Sequence, residues 1–149
     1  MTPDNFRYAI IMLAAGIGIP VLAALNAHLG RAIASPAAAA SVLFVIACAV
    51  SVVTMVATSG GAALAEIPSQ PKHLLFGGVL VAFYVLSVTW VAPRFGLGNA
   101  IVCVLIGQLI SAAVIDQFGL MGAMVRELTA LRAGGLALMA AGAIIVVKG

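Results

Sequence analysis

The sequence predicts an all-α polytopic membrane protein with five transmembrane helices per protomer. Hydrophobic residues fill 64% of its 149 positions and charged residues only 7%. Soluble domains carry roughly a quarter charged residues, so this chain lacks the polar atoms to coat a water-facing surface. Mean hydropathy is +1.27. The apolar residues gather into runs at approximately 6–29, 36–59, 73–91, 99–118 and 130–147, each near the ~20 residues a helix needs to cross the hydrocarbon core. Within the runs polar and apolar residues do not alternate, as they would in barrel strands. Helix also satisfies each backbone group inside its own segment, which lipid demands. The chain reads as a single transmembrane domain, 1–149.

The first run, "YAIIMLAAGIGIPVLAALNAHLG", outlasts the ~7–15 apolar residues of a cleaved signal and reads as a permanent span. Asp4 or Asn5 can cap it. Inside it, Gly16, Gly18 and Pro20 form "GIGIP". Pro20 lacks an N–H, so a helix break is expected there, with a carbonyl near residue 16 left free. Such breaks lie beside substrate in some transporters, and Gly and Pro also occur in ordinary spans. Asn26 and His28 follow, His28 as a solvated residue near the helix end.

Ser35 and Pro36 form an N-cap and first-turn pair for the second run. "SGGAALAEIPSQPKH" is the longest connection. In the third run Tyr84 and Ser87, three apart, share a helix face. Trp90 suits the membrane interface, whereas Tyr84 lies deeper, where its hydroxyl needs a hydrogen-bond partner or a wet cavity. "APRFGLGN" reads as a turn, with Asn99 capping the fourth run, and it is short enough to make helices three and four antiparallel neighbours. Thr129 ends "GLMGAMVRELT" and can cap the fifth.

In the fourth run, Val104, Gln108, Ala112 and Asp116 recur every four residues on one face. Cys103, Gly107 and Ser111 form a small-residue stripe beside it, suited to close helix packing. Gln108, near mid-span, needs partners for its amide, either on another helix or in a pore. Asp116 lies within a turn of the boundary, as a hydrated interfacial acid or as a proton- or cation-linked site. Cys48 and Cys103 sit deep in apolar runs as small core residues.

Several function classes are excluded. No His or second Cys stands at metal-ligand spacing, and neither metal nor cofactor is expected. No nucleophile and base, and no paired acids, share a depth, so no enzyme is expected. The basic residues are scattered singly, which gives nucleic acid no footprint.

With alternating spans, Arg7, Lys72, Arg126 and Arg132 fall on one side, and Arg31, Arg94 and Lys148 on the other. Cationic residues normally collect on the cytoplasmic side and fix topology. Four against three barely does so, which leaves open one orientation set by the first helix or dual topology with antiparallel pairing.

The segments "LNAHLGRAIASPAAAASVLF", "VAFYVLSVTWVAPRFGLGNAIVCVLIGQLISAAVIDQFGLMG" and "LRAGGLALMAAGAIIV" resemble the YdcZ-like family of small bacterial inner-membrane proteins. "FYV" at 83–85, "APR" at 92–94, "GQL" at 107–109 and "DQFGL" at 116–120 are its specific parts. The family belongs to the drug/metabolite transporter superfamily and is related to the small multidrug resistance proteins. The resemblance implies a multi-pass protein of the bacterial inner membrane, an exporter, and antiparallel pairing of protomers. The small multidrug resistance proteins carry an essential first-helix glutamate. No acid lies between Arg7 and Arg31 here, so their proton-exchange mechanism does not carry over.

The expectation is a secondary transporter of small organic solutes, cationic or amphipathic, with alternating access in an inverted homodimer embedded in lipid. Asn26, Tyr84, Ser87, Gln108 and Ser111 would bind the solute, and Asp116 would attract a cation or proton at the mouth. Arg31 and Arg94 of one copy could pair with Asp116 of the other. The alternatives are a dual-topology channel for ions or small solutes, and a non-transporting membrane subunit.

Overall fold

In the computed structural model, which describes residues 3–148, all regular structure is helical. The long helices are α1 (Pro3–Ala32), α2 (Pro36–Thr58), α3 (Gly77–Phe95), α4 (Leu97–Phe118) and α5 (Ala130–Lys148). Short 3-10 segments occupy Ala62–Ser69, Lys72–Phe76 and Leu120–Gly122. Five helices are long and apolar enough to cross a membrane, the third counted from Lys72.

Three local expectations are corrected. α1 begins at Pro3, so Asp4 and Asn5 lie inside its first turn, and Asp4 meets Arg7 one turn on at 3.9 Å. α1 also runs unbroken through Gly16, Gly18 and Pro20 over its 30 residues. A proline removes one intrahelical bond, and the bonds on either side suffice to carry the helix past it. The turn foreseen at "APRFGLGN" shrinks to Gly96, which takes φ 91° ahead of α4. Asn99 is consequently inside α4, its Nδ2 donating back to the Phe95 carbonyl at 3.0 Å.

The chain forms two compact units, Met1–Arg94 and Phe95–Gly149. In the first, Ala23, Asn26, Ala27 and Gly30 are buried on α1 at spacings 0, 3, 4 and 7. Val85, Val88, Thr89 and Ala92 repeat that spacing on α3, and Ala39 and Ala40 are buried on α2. These faces are built from small residues because lipid tails are as apolar as leucine, so helices gain by close approach rather than by escaping solvent. Gly30 shows how close: a Cβ there would stand 3.2 Å from the Pro36 Cα and 3.3 Å from Thr89 Cγ2.

α1 ends in a Schellman turn. The Ser35 N–H reaches the Gly30 carbonyl at 2.9 Å, with Ala34 left-handed at φ 51°, a position that glycine usually fills. Ser35 then caps α2 as expected, accepting from the Ala38 N–H at 3.2 Å, with Pro36 in the first turn.

In the second unit, α4 ends at Gly119, left-handed at φ 59°, where a Cβ would stand 2.7 Å from Val125 Cγ2. The chain then returns: the Arg126 N–H donates to the Asp116 carbonyl at 2.9 Å, and the Leu128 N–H donates to Gln117 Oε1. Thr129 caps α5 through the Arg132 N–H at 3.3 Å, as its position predicts. Larger apolar side chains such as Ile11, Val45, Ile46 and Phe83 face outward, toward acyl chains. Cys48 and Cys103 are exposed too. They are not core residues as expected, because alanine and valine already fill the close contacts.

Candidate functional site

The matched stripes on α1 and α3 leave a polar position on each. Asn26 and Thr89 are 4% and 2% exposed, the two buried polar residues among the described ones. Asn26 Nδ2 donates to Thr89 Oγ1 at 2.6 Å, and that hydroxyl donates onward to the Val85 carbonyl at 2.7 Å. Both functions of Thr89 are therefore used. Its hydroxyl turns the local i−4 bond of a helical threonine into a receptor for the neighbouring helix.

Tyr84 lies beside this pair. Its hydroxyl is buried and has no hydrogen-bond partner among the described residues. Tyr84, Asn26, Val88 and Leu22 surround a space that admits no water molecule. On the α2 side, Asn26 also lines an apolar crevice of about 220 Å³ with Leu25, Leu29, Val42 and Ile46.

Toward the ends of α1 and α3 the site widens into a cleft of about 370 Å³, lined among others by Gly30, Arg31, Pro36, Thr89 and Arg94. The Arg94 guanidinium lies 4.4 Å above the Trp90 ring and donates to the Trp90 carbonyl. Trp90 itself is exposed.

The expected site residues thus fall into distinct groups. The structure brings Asn26 and Tyr84 together. Ser87 is half-buried one turn along α3 and makes no side-chain hydrogen bond among the described residues. Gln108 and Ser111 belong to the second unit, where both are exposed and without side-chain hydrogen bonds among those residues. Within its own chain Asp116 pairs with Arg132. Arg132 also donates to the Arg126 carbonyl at 3.2 Å, so the acid anchors the α4–α5 connection. His28 is exposed. Among the described residues no group of His, Cys, Asp and Glu could hold a metal ion.

Thr89 and Arg132 were missed from sequence. Thr89 had a signal, since it shares the Val85, Val88 and Ala92 face. Arg132 had none, because its contact with Asp116 depends on the path of an irregular connection.

A polar pair and a buried phenol inside membrane-crossing helices narrow the function to the membrane without naming it. Sequence comparison adds the rest: the model of a family described as "Putative inner membrane exporter, YdcZ" matches residues 7–145. The chain belongs to the YdcZ family. Its place is the inner membrane, with five helices able to span it. An exporter family is not an enzyme class. No curated protein and no solved structure matches the chain.

Proposed function

We propose that this YdcZ-family protein is a secondary transporter exporting small organic solutes by alternating access in an inverted homodimer. The observation that carries the proposal is the trio of buried Asn26, buried Thr89 and the buried hydroxyl of half-buried Tyr84. A pair already bonded to itself would suffice to hold two helices together. The Tyr84 hydroxyl goes further, because leaving a buried polar group unpaired costs about 1–3 kcal/mol. A rearrangement that admits a solute between α1 and α3 relieves that cost, which couples opening of the site to occupancy.

Pairing is supported from the second unit. A mid-span amide such as Gln108, exposed and without side-chain hydrogen bonds among the described residues, is costly against lipid, and a second copy or the cavity it encloses supplies partners. The near-balance of cations across the membrane favours insertion in both orientations. In an inverted pair, exchange of protomer conformations turns the inward-open form into the outward-open one, a simple route to alternating access.

Reconstitution in liposomes tests this. Screened against a panel of small organic solutes, the protein should support saturable counterflow of at least one, and Tyr84→Phe should reduce it severalfold. Electrogenic, non-saturating flux would instead make it a channel. Flux in the variant equal to that of the parent would remove Tyr84 from the pathway.

A further inference from the structure

The cleft above the trio is electrostatically one-sided. Arg31 lies five residues beyond Asn26, and Arg94 five beyond Thr89, in the last turns of α1 and α3. At about 1.5 Å per residue both guanidinium stems begin some 7–8 Å above the buried pair and flank one opening. The chain has four acidic residues, and none lines this cleft. Asp4 is matched with Arg7 and Asp116 with Arg132.

The two arginines differ in a useful way. Arg94 is preorganised, because the Trp90 ring and carbonyl fix its plane while its remaining N–H groups stay available. Arg31 makes no ion pair or side-chain hydrogen bond among the described residues. Cations in last turns complement the helix macrodipole, but Arg31 does so without bonding any carbonyl. Between them the cleft is lined by Gly30, Ala34, Pro36 and Thr89. Cations in a cleft with low-dielectric walls focus a positive potential, and the guanidinium fork matches the oxygens of carboxylate and phosphate.

We propose that this cleft binds an oxyanion: the carboxylate or phosphate group of a small solute or of a lipid headgroup, gripped by Arg31 and Arg94. The sign is opposite to that of the cationic solute expected from Asp116 alone. As a statement about transport this rests on the exporter proposal; as a statement about binding it stands by itself, and binding is what the experiment reads.

Trp90 is the chain's one tryptophan and lies under Arg94, so its emission reports on the cleft. Purified full-length protein in neutral detergent is titrated with inorganic phosphate and with succinate, against sodium chloride of matched ionic strength. A parallel series compares nanodiscs of pure phosphatidylcholine with nanodiscs containing phosphatidylglycerol. The expected result is a saturable emission change with an oxyanion and none with chloride. Arg31→Gln should weaken binding about tenfold or more, and Arg31→Lys, which keeps the charge but loses the fork, less than that.

Saturation with phosphate or succinate assigns the group to a soluble solute, and saturation with phosphatidylglycerol alone assigns it to a headgroup. The proposal is overturned if neither gives a saturable response. It is equally overturned if both Arg31 variants, with helix content intact by circular dichroism, bind as tightly as the parent. Oxyanion binding without counterflow would defeat the exporter proposal and leave this one standing.

Discussion

Tyr84 and Thr89 lie five residues apart on one helix and have opposite hydrogen-bond standing. The Tyr84 hydroxyl is buried and unpaired among the described residues, whereas that of Thr89 both accepts and donates. Tyr84→Phe should therefore leave the thermal stability of the purified protein unchanged or raise it, by up to ~1–3 kcal/mol, even as transport falls. A clear loss of stability would mean that the hydroxyl has a structural partner. Thr89→Val should act the other way. It strands the buried Asn26 amide, at a cost of about 1–3 kcal/mol, and Thr89→Ser should restore most of the loss in the same thermal melt. From sequence, Asn26 and Tyr84 were visible because amides and phenols are conspicuous in an apolar run. Threonine was not, since it satisfies itself on its own helix so readily that a partner role leaves no mark.

The helices formed where apolar length alone demanded them, and the caps at Ser35 and Thr129 followed from side-chain chemistry that acts within one turn. What the sequence concealed is the geometry of junctions. Gly96 alone separates α3 from α4, because Pro93 and Arg94 are accommodated in the last turn of α3. The Schellman turn at the end of α1 places alanine where the backbone is left-handed, at a cost of about 1–2 kcal/mol for an L-residue. Ala34→Gly removes that strain and returns part of the gain as unfolded-chain entropy, so a net stabilisation of about 0.5–1 kcal/mol is expected. A lower melting temperature in the variant would contradict this account of the turn. At the other junction, Asp116 and Arg132 are each about a third exposed, 29% and 33%, so the pair contributes no more than about 1 kcal/mol. With its charge matched inside the chain, Asp116→Asn should leave the pH dependence of reconstituted uptake unaltered. Abolished pH dependence would make Asp116 the coupling acid after all.

For the molecule as a whole, membrane residence was legible at once, because 7% charged residues cannot hydrate a globule. The polar site was legible only in part. Asn26 and Tyr84 come together on α1 and α3, but Gln108 and Ser111 remain exposed on α4, and no periodicity within one chain can tell which surface a second copy covers. The proposed inverted pair gives those residues a role and makes the four-against-three cation count an asset rather than an accident. Orientation is therefore the quantity to measure. Ser69→Cys, in the α2–α3 connection, can be introduced with Cys48→Ala and Cys103→Ala and labelled in sealed inner-membrane vesicles by a membrane-impermeant maleimide, before and after permeabilisation. Two oppositely inserted populations would leave a substantial fraction reactive from outside and a comparable fraction reactive only once the membrane is opened. Labelling that is complete from one face, or absent from it, would show a single orientation and rule out the inverted pair.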